Sequence, residues 1–189
     1  MSPQPANRLE PIVNVQDLTK FFTITKGSFQ KQRSLLKAVD HISFTINQGE
    51  TLGLVGESGC GKTTAGRTII RLYEANEGRV LFQDRDILKL REKELLPIRR
   101  KIQMIFQDPY SSLNPRMTVA EILQEPLTIH RIAAGKAARD RIHELLHLVG
   151  LSKEHASRFP HEFSGGQRQR IGFARALALE PEFIICDEP

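Results

Sequence analysis

Apolar positions along this 189-residue chain fall into three patterns. Strict alternation is the first. Residues 12–15, running into Leu18, and residues 39–46 place apolar side chains on every second position, the period of a half-buried strand. Short unbroken runs are the second. Residues 51–55, bounded by glycines, predict a buried parallel strand, and residues 101–106 and 183–186 predict two more strands. The third has a helical period. Ile142, Leu145, Leu146 and Val149 stand at i, i+3, i+4 and i+7 of a helix predicted over 136–149, which Gly150 stops. Further helices are predicted from 62 to about 73, weakly from 118 to about 128 against Pro126, and over 165–179. A strand opens at Gly78 and runs through Val80 and Phe82. Between these elements, 26–34 and 109–115 read as loops, and Gln48-Gly49 and 83–86 as turns. Residues 1–11 read as a disordered leader.

Length and composition suit one domain with a sizeable core: 40% hydrophobic and 26% charged residues are ordinary for a soluble globular protein. No apolar run approaches the ~20 residues that span a bilayer, and the first ten residues lack an apolar signal core. The net charge of +5 is spread along the chain. Its one dense cluster, Arg99-Arg100-Lys101, reads as a solvated face. With 6% aromatics and no Trp, base-stacking platforms are poorly supplied, so no nucleic acid is expected. Cys60 and Cys186 have no metal-type spacing. His143 and His147 lie four apart without a third ligand, which suits a helix surface.

Chemistry concentrates in three places. Gly56-Glu57-Ser58-Gly59-Cys60-Gly61-Lys62-Thr63, followed by Thr64, is a complete phosphate-binding loop between a predicted strand and a predicted helix. Its glycines let successive N–H groups face one centre, and the helix adds its positive end. Lys62 can reach outer phosphates, and the Thr63 hydroxyl can ligate Mg²⁺. In a chain of this length the pattern arises by chance on the order of one per cent of the time. The second place is the apolar run ending in Asp187-Glu188. There Asp187 would hold Mg²⁺, and Glu188 would orient and polarise an attacking water. The third is Ser164-Gly165-Gly166-Gln167. Ser164 and Gln167 fit a capping box, and the two glycines leave amides open to an anion at a second helix start. Two anion sites on one chain suggest a nucleotide sandwiched between two chains.

Ser164-Gly165-Gly166-Gln167, lying between the phosphate loop and the acidic strand, resembles the signature of ATP-binding cassette (ABC) proteins. Gln107, after 101–106, matches that family's glutamine loop, a catalytic and metal-contacting position. Phe22 matches its adenine-stacking aromatic, where the residue by itself reads as core packing. Two longer stretches, 103–116 and 158–167, resemble the ATP-binding subunits of oligopeptide and dipeptide permeases, including nickel-type relatives, and most of all the F-type oligopeptide subunits.

The resemblance implies an α/β phosphate-loop NTPase. A RecA-like core would hold about 50–77, 98–108 and 165–189, an antiparallel β subdomain about 12–48 and 78–90, and a helical subdomain about 112–163. It also implies ATP and Mg²⁺ as ligands and a second ATPase subunit, the same or different. Two transmembrane permease subunits, an extracytoplasmic solute-binding protein and a peripheral place on the cytoplasmic face of the membrane complete the expectation. The family continues past the acidic strand with a D-loop, a further core strand and a switch histidine. The chain is therefore expected to be a C-terminally truncated form with poor activity. A soluble cassette ATPase acting on nucleic acid or ribosomes is the alternative within the fold, and a nucleotide-sensing or structural module the alternative outside enzymes.

Overall fold

The alternating segments grow into strands longer than their patterns. In a computed structural model, which describes residues 10–26, 32–108 and 112–188, β1 (Pro11–Lys26) and β2 (Gln32–Asn47) pair antiparallel. The loop expected over 26–34 is correspondingly shorter: Lys26 pairs with Gln32 and Ile24 with Ser34. Ladder bonds join backbone groups, so polar residues can continue a hairpin that apolar alternation does not mark. The rest of that expected loop, 27–31, lies outside the described residues, as do 109–111 of the second expected loop and most of the expected leader.

β3 (Glu77–Phe82) adds antiparallel to β1 and sets Val13 opposite Phe82 and Val15 opposite Val80. All four are buried, with Leu18 and Ile87. The turn expected over 83–86 contracts to Gln83-Asp84, both in the left-handed region with φ 48° and 61°. That geometry suits a two-residue hairpin, and Arg85 and Asp86 form the short strand β4 (Arg85–Asp86). The sheet order is β2-β1-β3-β4. Helix α1 (Lys62–Ile69) packs on β1 and β2 and buries Ala65, Gly66, Thr68 and Ile69. It stops short of Tyr73 because Arg71 turns to φ 56° and donates its guanidinium to the Ile87 and Leu90 carbonyls.

Residues 51–55 correct an expectation. They form no strand, and Leu52, Leu54 and Val55 are 43%, 52% and 95% exposed. A parallel strand is buried by its neighbours, and no described strand pairs with this run. Helix α2 (Glu92–Lys101) was not expected at all. It carries Glu92 and Glu94 in its first turn and Arg99, Arg100 and Lys101 in its last, the arrangement the helix dipole favours. Pro97 inside it hides it from a propensity reading.

The chain divides into two compact units, Met1–Leu95 and Leu96–Pro189. In the second, β5 (Ile102–Ile105) pairs parallel with β6 (Phe183–Cys186). The Glu182 amide donates to the Lys101 carbonyl at 2.8 Å, and the two side chains close an ion pair of the same length. Three helices surround one core: α3 (Val119–Ile129), α4 (Gly135–Leu148) and α5 (Gly165–Leu177). Leu123 and Leu127, Ile142 and Leu146, and Ile171 and Ala174 fill it from the three in turn. Thr118 caps α3 in a reciprocal box with Glu121, which helps that helix form despite Pro126. Short 3-10 turns at Lys153–Ser157 and Pro160–Glu162 lead into α5.

Candidate functional site

In the first unit the phosphate loop runs directly into α1. A left-handed Gly61, φ 103°, starts the helix. A Cβ there would sit 2.0 Å from the Ala38 carbonyl oxygen of β2, so only glycine fits. No side chain caps this helix start and no acid stands in its first turn. A helix start that carries neither can offer its positive end to an anion. Lys62 bends back along the loop, donating from Nζ to the Gly56 and Glu57 carbonyls at 2.7 and 2.9 Å. The Cys60 amide closes a turn on the Glu57 carbonyl at 3.2 Å, and the Ala65 amide begins the helix on Gly61 at 2.8 Å. Ser58, Gly59 and Cys60 are exposed, while Thr63 and Thr64 are half-buried at the helix start. Phe22 is half-buried, edge-on to Tyr73 at 5.7 Å, with Lys20 Nζ 4.9 Å from its ring. Sequence patterns do not single out Tyr73 or Lys20; the segment after α1 lies against β1, where the Asn76 amide donates to the Thr19 carbonyl and Asn76 Oδ1 accepts from the Phe21 amide.

In the second unit the end of β6 carries the acids. The Asp187 amide donates to the Ile105 carbonyl at 2.9 Å, extending the β5–β6 ladder, and the residue is 6% exposed. Glu188 turns outward in the left-handed region, φ 46°. Its Oε2 accepts from Gln107 Nε2 at 2.5 Å. The glutamine after β5 and the acid after β6 thus meet across 81 positions of sequence, because parallel pairing aligns the C-terminal ends of the two strands. Partial desolvation raises the neighbouring Cys186 thiol above its usual range, although the residue is exposed.

The signature turn has the expected cap. Gln167 N–H donates to Ser164 Oγ at 3.4 Å, and Gln167 Oε1 accepts from the Ser164 amide at 3.0 Å. By position Gly165 and Gly166 make no intrahelical N–H bond, and a Cβ on either would meet nothing within 4 Å. Arg175, further along α5, donates to the Ser112 carbonyl at 2.5 Å; no motif had marked it. Within the second unit Gln107 and Asp187 offer an amide carbonyl and a carboxylate, oxygen donors of the kind that hard cations take. Among the described residues no three His, Cys, Asp or Glu side chains cluster as a metal site, and no helix is long and apolar enough to cross a membrane.

A backbone loop on a helix start in the first unit, and in the second an acid-tipped parallel strand beside a glutamine and a glycine-bearing capped helix, are features of a phosphate-loop cassette. The chain belongs to the ABC transporter family, whose model matches residues 39–189. It is 59% identical over 182 residues to the oligopeptide transport ATP-binding protein OppF of Bacillus subtilis (strain 168), covering 95% of this chain and 57% of that protein. It is 52% identical over 179 residues to the glutathione import ATP-binding protein GsiA of Salmonella typhimurium, covering 95% of this chain and 29% of the other. Its fold is similar to the dimeric, post-hydrolysis structure of the ATP-binding cassette MJ0796 bound to ADP and Pi. That match has a TM-score of 0.79 and 32% identity, over 92% of this chain and 72% of that one.

Proposed function

We propose that this chain is the nucleotide-binding part of an ATPase subunit that powers import of peptides or related solutes through a membrane permease. The observation that carries the proposal is the open, positive start of α1, wrapped by Gly56 to Thr63 with Lys62 folded along the loop. Backbone amides there receive phosphate oxygens, and the ammonium of Lys62 exchanges carbonyl partners for the outer phosphates. Glu188 is the group that orients and polarises water, and Gln107 holds its carboxylate at 2.5 Å. Thr63, Asp187 and Gln107 would hold Mg²⁺, which would supply positive charge beside the phosphates. Ser164 and the amides of Gly165 and Gly166 serve the nucleotide of a second cassette, and Phe22 faces an adenine. The name of the Bacillus relative, an oligopeptide transport ATP-binding protein, supports peptide cargo; a seat against permease subunits on the cytoplasmic face of the membrane belongs to the same proposal.

The test uses the complete protein assembled with its permease subunits in liposomes. Glu188→Gln is expected to keep MgATP binding while phosphate release falls about a hundred-fold or more, the range of general-base loss. Release at the wild-type rate by that variant would remove Glu188 from the chemistry. An intact complex that ignores MgATP altogether would overturn the ATPase reading.

A further inference from the structure

We propose that Tyr73 is a positioning residue that braces Phe22 as the platform for the nucleotide base, with Arg67 of α1 holding Tyr73 in place; this rests on the adenine reading of Phe22. Arg67 stands in the last turn of the helix that Lys62 opens. Its carbonyl accepts from the Leu72 and Tyr73 amides at 2.8 and 3.2 Å, and its Nη1 donates to the Tyr73 hydroxyl at 3.0 Å. One residue thus fixes Tyr73 at both its backbone and its ring tip. From there the tyrosine ring meets Phe22 with 88° between the ring planes and 5.7 Å between centroids. Further on, Asn76 bonds to Thr19 and Phe21 of β1, so the segment that carries Tyr73 is tied to the strand that carries Phe22.

A continuous run of contacts therefore joins the phosphate loop to the base platform. Lys62 and Arg67 lie on one helix, between one and two turns apart, and Tyr73 and Phe22 follow by contact. Phe22 and Tyr73 are both half-buried, and a half-buried ring keeps access to more than one staggered rotamer. An edge-to-face neighbour favours one of them. The ammonium of Lys20, 4.9 Å from the Phe22 ring centre, adds a cation–π contact from the same strand. The hydrogen bond from the charged Arg67 guanidinium holds the tyrosine more firmly than a neutral donor would. Preorganising a stacking partner lowers the ordering cost of binding. Tyr73 thus acts on the base half of a nucleotide, through Phe22 alone, and leaves the phosphate half to the loop.

That division gives the test. The complete protein is titrated by calorimetry with MgATP and with magnesium tripolyphosphate, which has the phosphates and no base. Phe22→Ala is expected to weaken MgATP binding about ten-fold, within the range of one base–aromatic stack, and to leave tripolyphosphate binding unchanged. Tyr73→Leu keeps apolar bulk and removes the ring and its hydroxyl. It should weaken MgATP binding about five-fold, the scale of an aromatic pair, again with tripolyphosphate unchanged. Tyr73→Phe keeps the ring, loses only the bond from Arg67 and recovers most of the loss. In a Phe22→Ala background Tyr73→Leu adds no further loss, because both act on one contact. Wild-type MgATP affinity in Tyr73→Leu, or a further fall of about five-fold on top of Phe22→Ala, would overturn the proposal. So would an equal loss of both ligands in Tyr73→Leu, which is what damage to the loop or the fold produces. Wild-type MgATP affinity in Phe22→Ala defeats the base reading of Phe22 and the proposal with it. A wild-type protein that binds neither ligand defeats the nucleotide reading itself, and this proposal falls too.

Discussion

Gly59 and Gly61 stand two residues apart in the phosphate loop, and replacing each by alanine makes a controlled pair. Both take positive φ, 79° and 103°. Alanine in that region costs about 1–2 kcal/mol through its own backbone. At Gly59 the new Cβ meets nothing within 4 Å, so the backbone term stands alone. At Gly61 the new Cβ lies 2.0 Å from the Ala38 carbonyl oxygen and 3.2 Å from its carbon. The obstacle is backbone of β2, which cannot rotate away, so an overpacking cost of about 1–3 kcal/mol adds. If the loop must hold its folded form to bind, Gly59→Ala weakens nucleotide affinity about ten-fold and Gly61→Ala about a hundred-fold or more, at ~1.4 kcal/mol per decade. Titration of a fluorescent ATP analogue into the two purified full-length variants measures the difference directly. Equal affinities would mean that the approach to Ala38 does not constrain the loop, and the reasoning from packing would fail.

Two further outcomes are expected. Ser164→Ala deletes the acceptor for the Gln167 amide and should cost about 1 kcal/mol of stability, as N-cap losses do; urea unfolding checks this, and an unchanged midpoint refutes a working cap. Burial, with the Arg100 charge second, holds the His130 imidazole below its usual range. The unfolded chain then binds the extra proton first, so stability is present above about pH 6.5 and is lost as pH falls through the lower folded value. His130→Asn should flatten the decline of Tm between about pH 7.5 and 5.5; a slope as steep as wild type would discount the residue.

Elements that carry their own instructions were legible in the sequence. The phosphate loop, the capped start of α5 and the i, i+3, i+4 face of α4 each depend on residues within a turn or two of one another. What depends on distant partners was not. Residues 51–55 have the composition of a buried strand, but burial needs neighbours, and none of the described strands supplies one. The far end of the β1–β2 hairpin is polar in sequence, so no alternation marks it, and Pro97 with the charges around it hides α2. In the site, Gln107, Asp187 and Glu188 could each be named from motifs. That Gln107 grips Glu188, and that Arg175 grips Ser112, follows from how β5, β6 and α5 assemble.

The amide of Gln107 also protects the charge of its neighbour. Glutamic acid has nearly the same shape, yet at this spot it would bring two carboxylates within 2.5 Å of each other. Like charges so close repel, so the two side chains would turn apart into solvent and the contact would be lost. The position therefore accepts a neutral donor and refuses its isosteric acid, a choice made by charge where size alone would allow either.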